Sequence, residues 1–214
     1  RMKIDYQETT SDLLTRIDIH NKYGGRDIDQ WMLDLLDPQP GIKILDVACG
    51  AGKQCLSFHN RLQGQAQITG GDVNQDLLKQ ARENNAKFGN AWNIIELDFN
   101  QRFPFEDNTF DLDSCCFAIY YSETLPSTLS EMHRVLKPDR SAVIVVGTST
   151  MRGIDTRTQD CLAAIGEQIG FDAVGIAVRR LDRDRRMMPA RWGGERSLQI
   201  EQRMHEEYVI GLHK

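Results

Sequence analysis

Apolar residues recur along the chain at helical and strand spacings that alternate. After a polar leader, Ile28, Trp31, Met32, Leu35 and Leu36 keep a helical rhythm that Asp37-Pro38 and Pro40-Gly41 bring to an end. A first strand begins near Lys43, and Cys55, Phe58 and Leu62 then mark one side of a helix. Ile68-Thr69-Gly70-Gly71-Asp72 reads as a second strand, after which Asn74 is placed to cap a helix presenting Leu77, Leu78 and Ala81. A short strand around Ile94 to Leu97 ends at Asp98, and Phe110-Asp111 opens a fourth that runs through Leu112 to Phe117. Leu129, Met132, Val135 and Leu136 predict a helix closed by Lys137-Pro138, before the β-rich run from Ser141 to Gly147. Leu162, Ile165 and Ile169 mark a last helix stopped by Gly170. Val174, Ile176 and Val178 then alternate, and Tyr208-Val209-Ile210 lies near the C-terminus. Strands alternating with helices predict an α/β fold whose mostly parallel sheet is covered on both faces.

Composition narrows this picture. A chain of 214 residues with an ordinary apolar share buries one good core, and neither a repeat nor a composition shift divides it, so a single domain over 1–214 is expected. The net charge of −5 gives no general attraction for nucleic acid or anionic membrane, which leans towards a small-molecule partner. The five cysteines lack zinc-ribbon spacing, no secretory h-region is seen, and no apolar run approaches the roughly 20 residues that span a bilayer. A reducing cytoplasm is the expected setting. Histidines and cysteines show no convergent ligand spacing, so no metal is expected, and Cys115 and Cys116 read as small core residues.

The chemistry concentrates in Ile44-Leu45-Asp46-Val47-Ala48-Cys49-Gly50-Ala51-Gly52, an apolar strand running into an acid and then a glycine turn at the mouth of a helix. Glycine lets a ligand lie directly on the backbone. Asp72, at the end of the next strand, stands at the distance where a βαβ unit sets a carboxylate against a ribose. Together they describe a nucleoside pocket. A dinucleotide fingerprint would need glycine where Cys55 occurs, which leaves NAD(P) and an oxidoreductase as the alternative reading. A phosphate loop fits worse, because Val47 stands for its first glycine and Gln54 for its magnesium-binding hydroxyl.

Leu45-Asp46-Val47-Ala48-Cys49-Gly50-Ala51-Gly52, Gly71-Asp72, Leu97-Asp98-Phe99 and Phe110-Asp111 follow one another in the order of a known family. Over about residues 26 to 147 the chain resembles the class I S-adenosylmethionine-dependent methyltransferases, in particular the small-molecule, ubiquinone/menaquinone-methyltransferase-like branch also called methyltransferase type 11. Glu131-Met132-His133-Arg134-Val135-Leu136-Lys137-Pro138 is similar to that branch's E-x-x-R-V-L-K-P stretch, with Asp139-Arg140 where the family commonly has two glycines. That departure is expected to affect the turn more than the chemistry.

The resemblance implies a Rossmann-like fold with a seven-stranded, mostly parallel sheet whose last strand is antiparallel. Residues 1–25 would form a covering segment, 26–147 the cofactor-binding core, and 148–214 the end of the sheet and the substrate wall. It implies S-adenosylmethionine as cofactor and in-line displacement of its methyl group by an O, N, C or S nucleophile of a small molecule. Gly50 and Gly52 would admit the methionine part, with Ala48 in the same turn, and Asp46 would organise contacts near its ammonium group. Asp72 would accept from both ribose hydroxyls, with Val73 beside it. Asp98 would take the adenine amino hydrogen, the Phe99 amide a ring nitrogen, and the Phe99 ring would cover an apolar face. A carbonyl near Cys116 would meet the ammonium, and Tyr23 would hold the cofactor from the covering segment. No general base is assigned; Tyr120, Tyr121 and His20 are pocket candidates. The stretch Arg179, Arg180, Arg183, Arg185, Arg186, Arg191 and Arg196 is compatible with an acidic acceptor or with a solvated mixed-charge loop, and no aromatic platform beside it favours nucleic acid. A binding module that has lost productive acceptor geometry stays open beside the enzyme.

Overall fold

Asp27 caps a first helix, α1 (Ile28–Leu36), by accepting from the Asp29 amide at 2.8 Å, and Asp37 ends it in a left-handed conformation. This computed structural model describes residues 27–151, 154–181 and 206–214. From there the chain alternates as its periodicity predicts. β1 (Lys43–Val47), α2 (Lys53–Arg61), β2 (Gln67–Asp72), α3 (Gln75–Ala86), β3 (Asn93–Glu96) and β4 (Phe110–Cys116) come first. A single 3₁₀ turn (Ile119–Tyr121), α4 (Leu125–Val135), β5 (Leu136–Gly147), β6 (Thr150–Met151), β7 (Ile154–Asp155), α5 (Thr158–Ile169), β8 (Asp172–Arg180) and β9 (Glu206–His213) follow.

Seven strands form one sheet in the order β3-β2-β1-β4-β5-β9-β8. The pairs among β1 to β5 are all parallel, and β9 runs antiparallel between β5 and β8. β1 leads outward to β2 and β3 on one side, while β4 and β5 lie on the other, so the order reverses between β1 and β4. In open α/β sheets a ligand crevice forms outside the carboxyl ends of the strands at such a switch.

Alternate residues of the central strands serve opposite faces. Ile44, Ile68, Leu112, Val143 and Val145 pack with Met32, Leu33, Cys55, Phe58 and Leu78 from α1, α2 and α3, and with Leu62 at the end of α2. Leu45, Val47, Ala142 and Ile144 pack with Leu129, Met132, Val135 and Leu162 from α4 and α5. A sheet buried on both faces explains why its strands read as nearly continuous apolar runs.

Three details depart from the sequence reading. Leu136, expected in the helix, opens β5 instead, because α4 ends at Val135 and the chain passes directly into the sheet opposite Phe110. Phe117, expected at the end of the fourth strand, turns out of it with φ of 56°. The β6–β7 hairpin was not anticipated. At the departure from the family's glycine pair, Asp139 takes φ of 57°, a region aspartate enters more readily than most residues. Its amide donates to Lys214 O at 3.0 Å, so the turn survives without glycine.

The Glu131-x-x-Arg134 pair has a mechanical role. Arg134 donates to Phe103 O, Phe105 O and the Asp107 and Glu131 carboxylates, while Glu131 accepts from the Phe103 amide at 2.8 Å. One guanidinium thereby pins the loop that enters β4. Arg134→Ala is expected to cost about 1 to 2 kcal/mol, a melting-temperature drop of roughly 2 to 8 °C by calorimetry. Lysine lacks the planar fork and is expected to restore little; an unchanged melting temperature in the alanine variant would remove the latch.

Candidate active site

Beyond the carboxyl end of β1 the backbone takes positive φ at Ala48 (58°), Gly50 (54°) and Gly52 (83°). Two hydrogen bonds hold this turn: the Cys49 amide to Gly71 O and the Gly52 amide to Cys49 O, both 2.9 Å. A side-chain carbon placed at Gly50 would meet no atom within 4 Å, whereas at Gly52 it would touch Ala81 at 3.5 Å. Gly50 therefore presents bare backbone to open space, and Gly52 serves the packing of α2.

Asp72 ends β2 beside this turn and is 8% exposed. One carboxylate oxygen accepts from the Gly50 amide and the other from the Asn74 amide, each at 2.9 Å. Burial pushes its pKa up, and the amides of Asn74, Gly50 and Val73 oppose the rise. Asp72 thus faces the glycine turn. Asp46 lies behind the turn, fully buried: Ser114 Oγ donates to one oxygen at 2.8 Å and the Cys55 thiol to the other at 3.5 Å. Burial raises its pKa to about 7, against the lowering effect of those two donors.

Cys55 occupies the place where a dinucleotide fold has glycine for close helix–strand packing. Here Gly70 of β2 makes the room, since a side-chain carbon there would stand 2.7 Å from the Cys55 sulfur. The helix approaches the sheet by a different glycine.

The remaining predicted residues fall around the same edge. Val73 is half exposed. Asp98 is half-buried, and it accepts from the Asn100 amide at 2.9 Å in a local turn. Phe99 is buried in the apolar cluster beneath α4, so its ring is a packing group here, and its carbonyl accepts from Thr128. Cys116 closes β4 with its sulfur 3.9 Å from Met32 Sδ and 4.0 Å from Gln54 Oε1. Tyr120 and Tyr121 sit just past β4 with ring centroids 4.7 Å apart, Tyr120 exposed and Tyr121 packed on the core. His20 and Tyr23 lie outside the described residues, as do Arg183, Arg185, Arg186, Arg191 and Arg196. The two described members of the arginine stretch have intramolecular carboxylates: Arg179 donates to Glu207, and Arg180 stands 3.4 Å from Glu206.

Sequence reasoning gave no site role to several groups on this edge. Asp29, 6% exposed, pairs with Lys53 at 2.8 Å, and Lys53 also reaches Asp27 at 3.4 Å. Burial raises the pKa of Asp29, which Lys53 counters, and likewise that of Glu207, which Arg179 counters. Gln54, 5% exposed, has an Nε2 with no hydrogen-bond partner. Its place two residues beyond Gly52 was the one available signal. The described cations Lys53 and Arg179 are each paired with carboxylates. Among the described residues no group of three or more His, Cys, Asp or Glu is arranged to hold a metal. Among them, too, no helix is long and apolar enough to cross a membrane.

Residues 44–139 match the family model described as a methyltransferase domain. A ubiquinone/menaquinone biosynthesis C-methyltransferase of Desulfotalea psychrophila is 32% identical over 118 residues, covering 55% of this chain and 46% of that protein. The chain spans about half the length of the curated relatives it matches. A methyltransferase structure from Aquifex aeolicus superposes with a TM-score of 0.69 at 16% identity, over 96% of this chain and all of that one. A phosphoethanolamine N-methyltransferase of Haemonchus contortus, solved with S-adenosyl-L-methionine, superposes at 0.73 and 18% identity over 98% of this chain and 58% of that one. At such identities these two show the fold.

Proposed function

We propose that this chain is a class I S-adenosylmethionine-dependent methyltransferase that transfers a methyl group to a small molecule, a reading that the match of residues 44–139 to a methyltransferase domain supports. The observation that carries the reading is Asp72: a buried carboxylate held against the Gly50 amide, beside a turn whose Gly50 face is open. The residues present fit the cofactor. Asp72 keeps acceptor capacity for a vicinal diol, Gly50 offers bare backbone, and the unpartnered Gln54 amide offers a buried donor.

In this reading Asp72 holds the ribose and Val73 flanks the adenine, while Asp98 and the Phe99 amide address the base edge. Asp46 supports the turn from behind through Ser114 and Cys55. Bound S-adenosylmethionine supplies an already activated methyl group, so what the protein contributes is alignment and exclusion of water, worth up to about 7 to 11 kcal/mol in well-oriented reactions. Tyr120 and Tyr121, beside the exit of β4, border the acceptor. The acceptor class is open; the names of the matched relatives make reduced quinones the first to screen.

Calorimetry with S-adenosylmethionine, S-adenosylhomocysteine and NAD tests the donor, and binding of the two sulfur nucleosides without NAD is the expected outcome. NAD binding alone would overturn the reading. Methyl transfer to a panel that begins with naphthohydroquinones tests the acceptor, and nucleoside binding with no transfer to any member points to the non-catalytic module instead.

A further inference from the structure

Gln54 carries a donor that the protein leaves unused. It is the second residue of α2, a nine-residue helix whose Gly52 N-cap supplies no side-chain acceptor, so the amides of its first turn stand uncapped. Its side chain is 5% exposed, and Nε2 is buried without a hydrogen-bond partner. The neighbouring Cys116 sulfur lies 4.0 Å from Oε1 and 3.9 Å from Met32 Sδ. Burial raises the pKa of Cys116, which keeps the thiol protonated, so the carboxamide oxygen faces a weak donor while the buried Nε2 has no acceptor among the described residues. That contact also sets the carboxamide between the glycine turn and the exit of β4. A buried donor of this kind marks a place where an acceptor belongs.

We propose that Gln54 Nε2 donates to the carboxylate at the amino-acid end of the methyl donor, an inference that rests on the cofactor reading above. The cofactor brings groups of three kinds to this edge, and Gln54 suits one. Its diol belongs beside Asp72, which accepts hydrogen bonds, and its ammonium and sulfonium belong near carboxylates. Asp27 and Asp29 stand on this side of the turn, and Lys53, the cation nearest to them, is paired with both. The carboxylate is then the one group that those acids repel, and it needs a donor that is neutral and close. An uncapped helix start adds backbone N–H groups and the positive end of the helix dipole to the same spot. Gln54 thereby discriminates a complete amino-acid end from one that lacks its carboxylate.

The test compares affinities by calorimetry for S-adenosylmethionine and its decarboxylated analogue, which keeps the nucleoside, sulfonium and ammonium. In Gln54→Leu, S-adenosylmethionine is expected to bind about 10- to 100-fold more weakly and the decarboxylated analogue less than about threefold more weakly. Gln54→Glu sets like charges together and is expected to widen that gap. The ratio of the two affinities within one preparation is independent of the fraction folded, so a poorly folding variant still reports, and Gln54→Asn provides a second one. Equal losses for both ligands would assign Gln54 a structural role, and no loss for either would leave it idle; each outcome overturns the proposal. If the unaltered protein binds neither ligand, the cofactor reading itself falls and this inference goes with it, a result distinct from wild-type binding that Gln54→Leu leaves untouched.

Discussion

Asp72→Ala is expected to weaken binding of S-adenosylhomocysteine by about 1.5 to 3 kcal/mol, the range for hydrogen bonds to a charged group, or roughly 10- to 150-fold. An ionised carboxylate offers about four lone-pair sites. The Gly50 and Asn74 amides occupy one on each oxygen and the Val73 amide also faces the carboxylate, so the capacity that remains is what Asp72 offers the ribose hydroxyls. The same substitution frees the Gly50 amide, so the ligand-free melting temperature should fall as well, and calorimetry with a parallel thermal melt separates the two losses. Asparagine is no remedy: its NH₂ group would face one of the two amide donors. Because burial raises the Asp72 pKa and the ribose prefers the ionised form, wild-type affinity should decline as pH falls through that raised value. The alanine variant should lack this decline. Affinity that is unchanged by the substitution removes Asp72 from the ribose site.

The strands were legible because sheet burial on both faces writes itself as apolar runs, and because each of β1 and β2 ends in a recognisable punctuation, the glycine turn and Asp72. The helix-to-strand junction at Leu136 was not, since Leu136 continues the apolar spacing of α4 and Pro138 suggested the stop at the wrong place. Two-residue strands such as β6 and β7 have no period to read. The same division runs through the site. Asp72 and Gly50 lie within one βαβ unit, so their spacing in sequence reports their proximity in space. Glu207 meets Arg179 only through the register that aligns β9 with β8, and Asp29 is buried only because α1 packs beside α2. Nothing local marks either residue. The arginine stretch shows the cost of this: in sequence it was compatible with an acidic acceptor or with a solvated mixed-charge segment, and Arg179 and Arg180 each find a carboxylate directly across the β8–β9 ladder.

Asp113→Val is expected to stabilise the protein by about 2 to 3 kcal/mol at neutral pH and to raise its melting temperature by roughly 4 to 12 °C. Asp113 sits mid-way along β4 in register with Leu45 and Ala142, fully buried, on the sheet face covered by α4 and α5. Neither carboxylate oxygen has a hydrogen-bond partner. Burial drives its pKa well above the carboxylate range, with only the distant attraction of Lys214 opposing. The folded protein therefore holds a proton that the unfolded chain releases near about pH 4. The folded state then binds more protons than the unfolded one, and stability falls as pH rises from that point towards the raised folded pKa. Valine removes this term and suits a buried strand, so the gain over wild type should widen from about pH 4 upward. Asp29, Asp46, Asp72 and Glu207 are also raised by burial and stay in place, so the slope should flatten without vanishing. Asp113→Asn keeps an unpaired polar group in the same apolar surroundings and should recover only part of the gain. Urea melts of the three proteins between pH 4 and 8 decide it: a valine variant less stable than wild type at pH 7 would mean that the carboxyl contributes a favourable interaction to the native state.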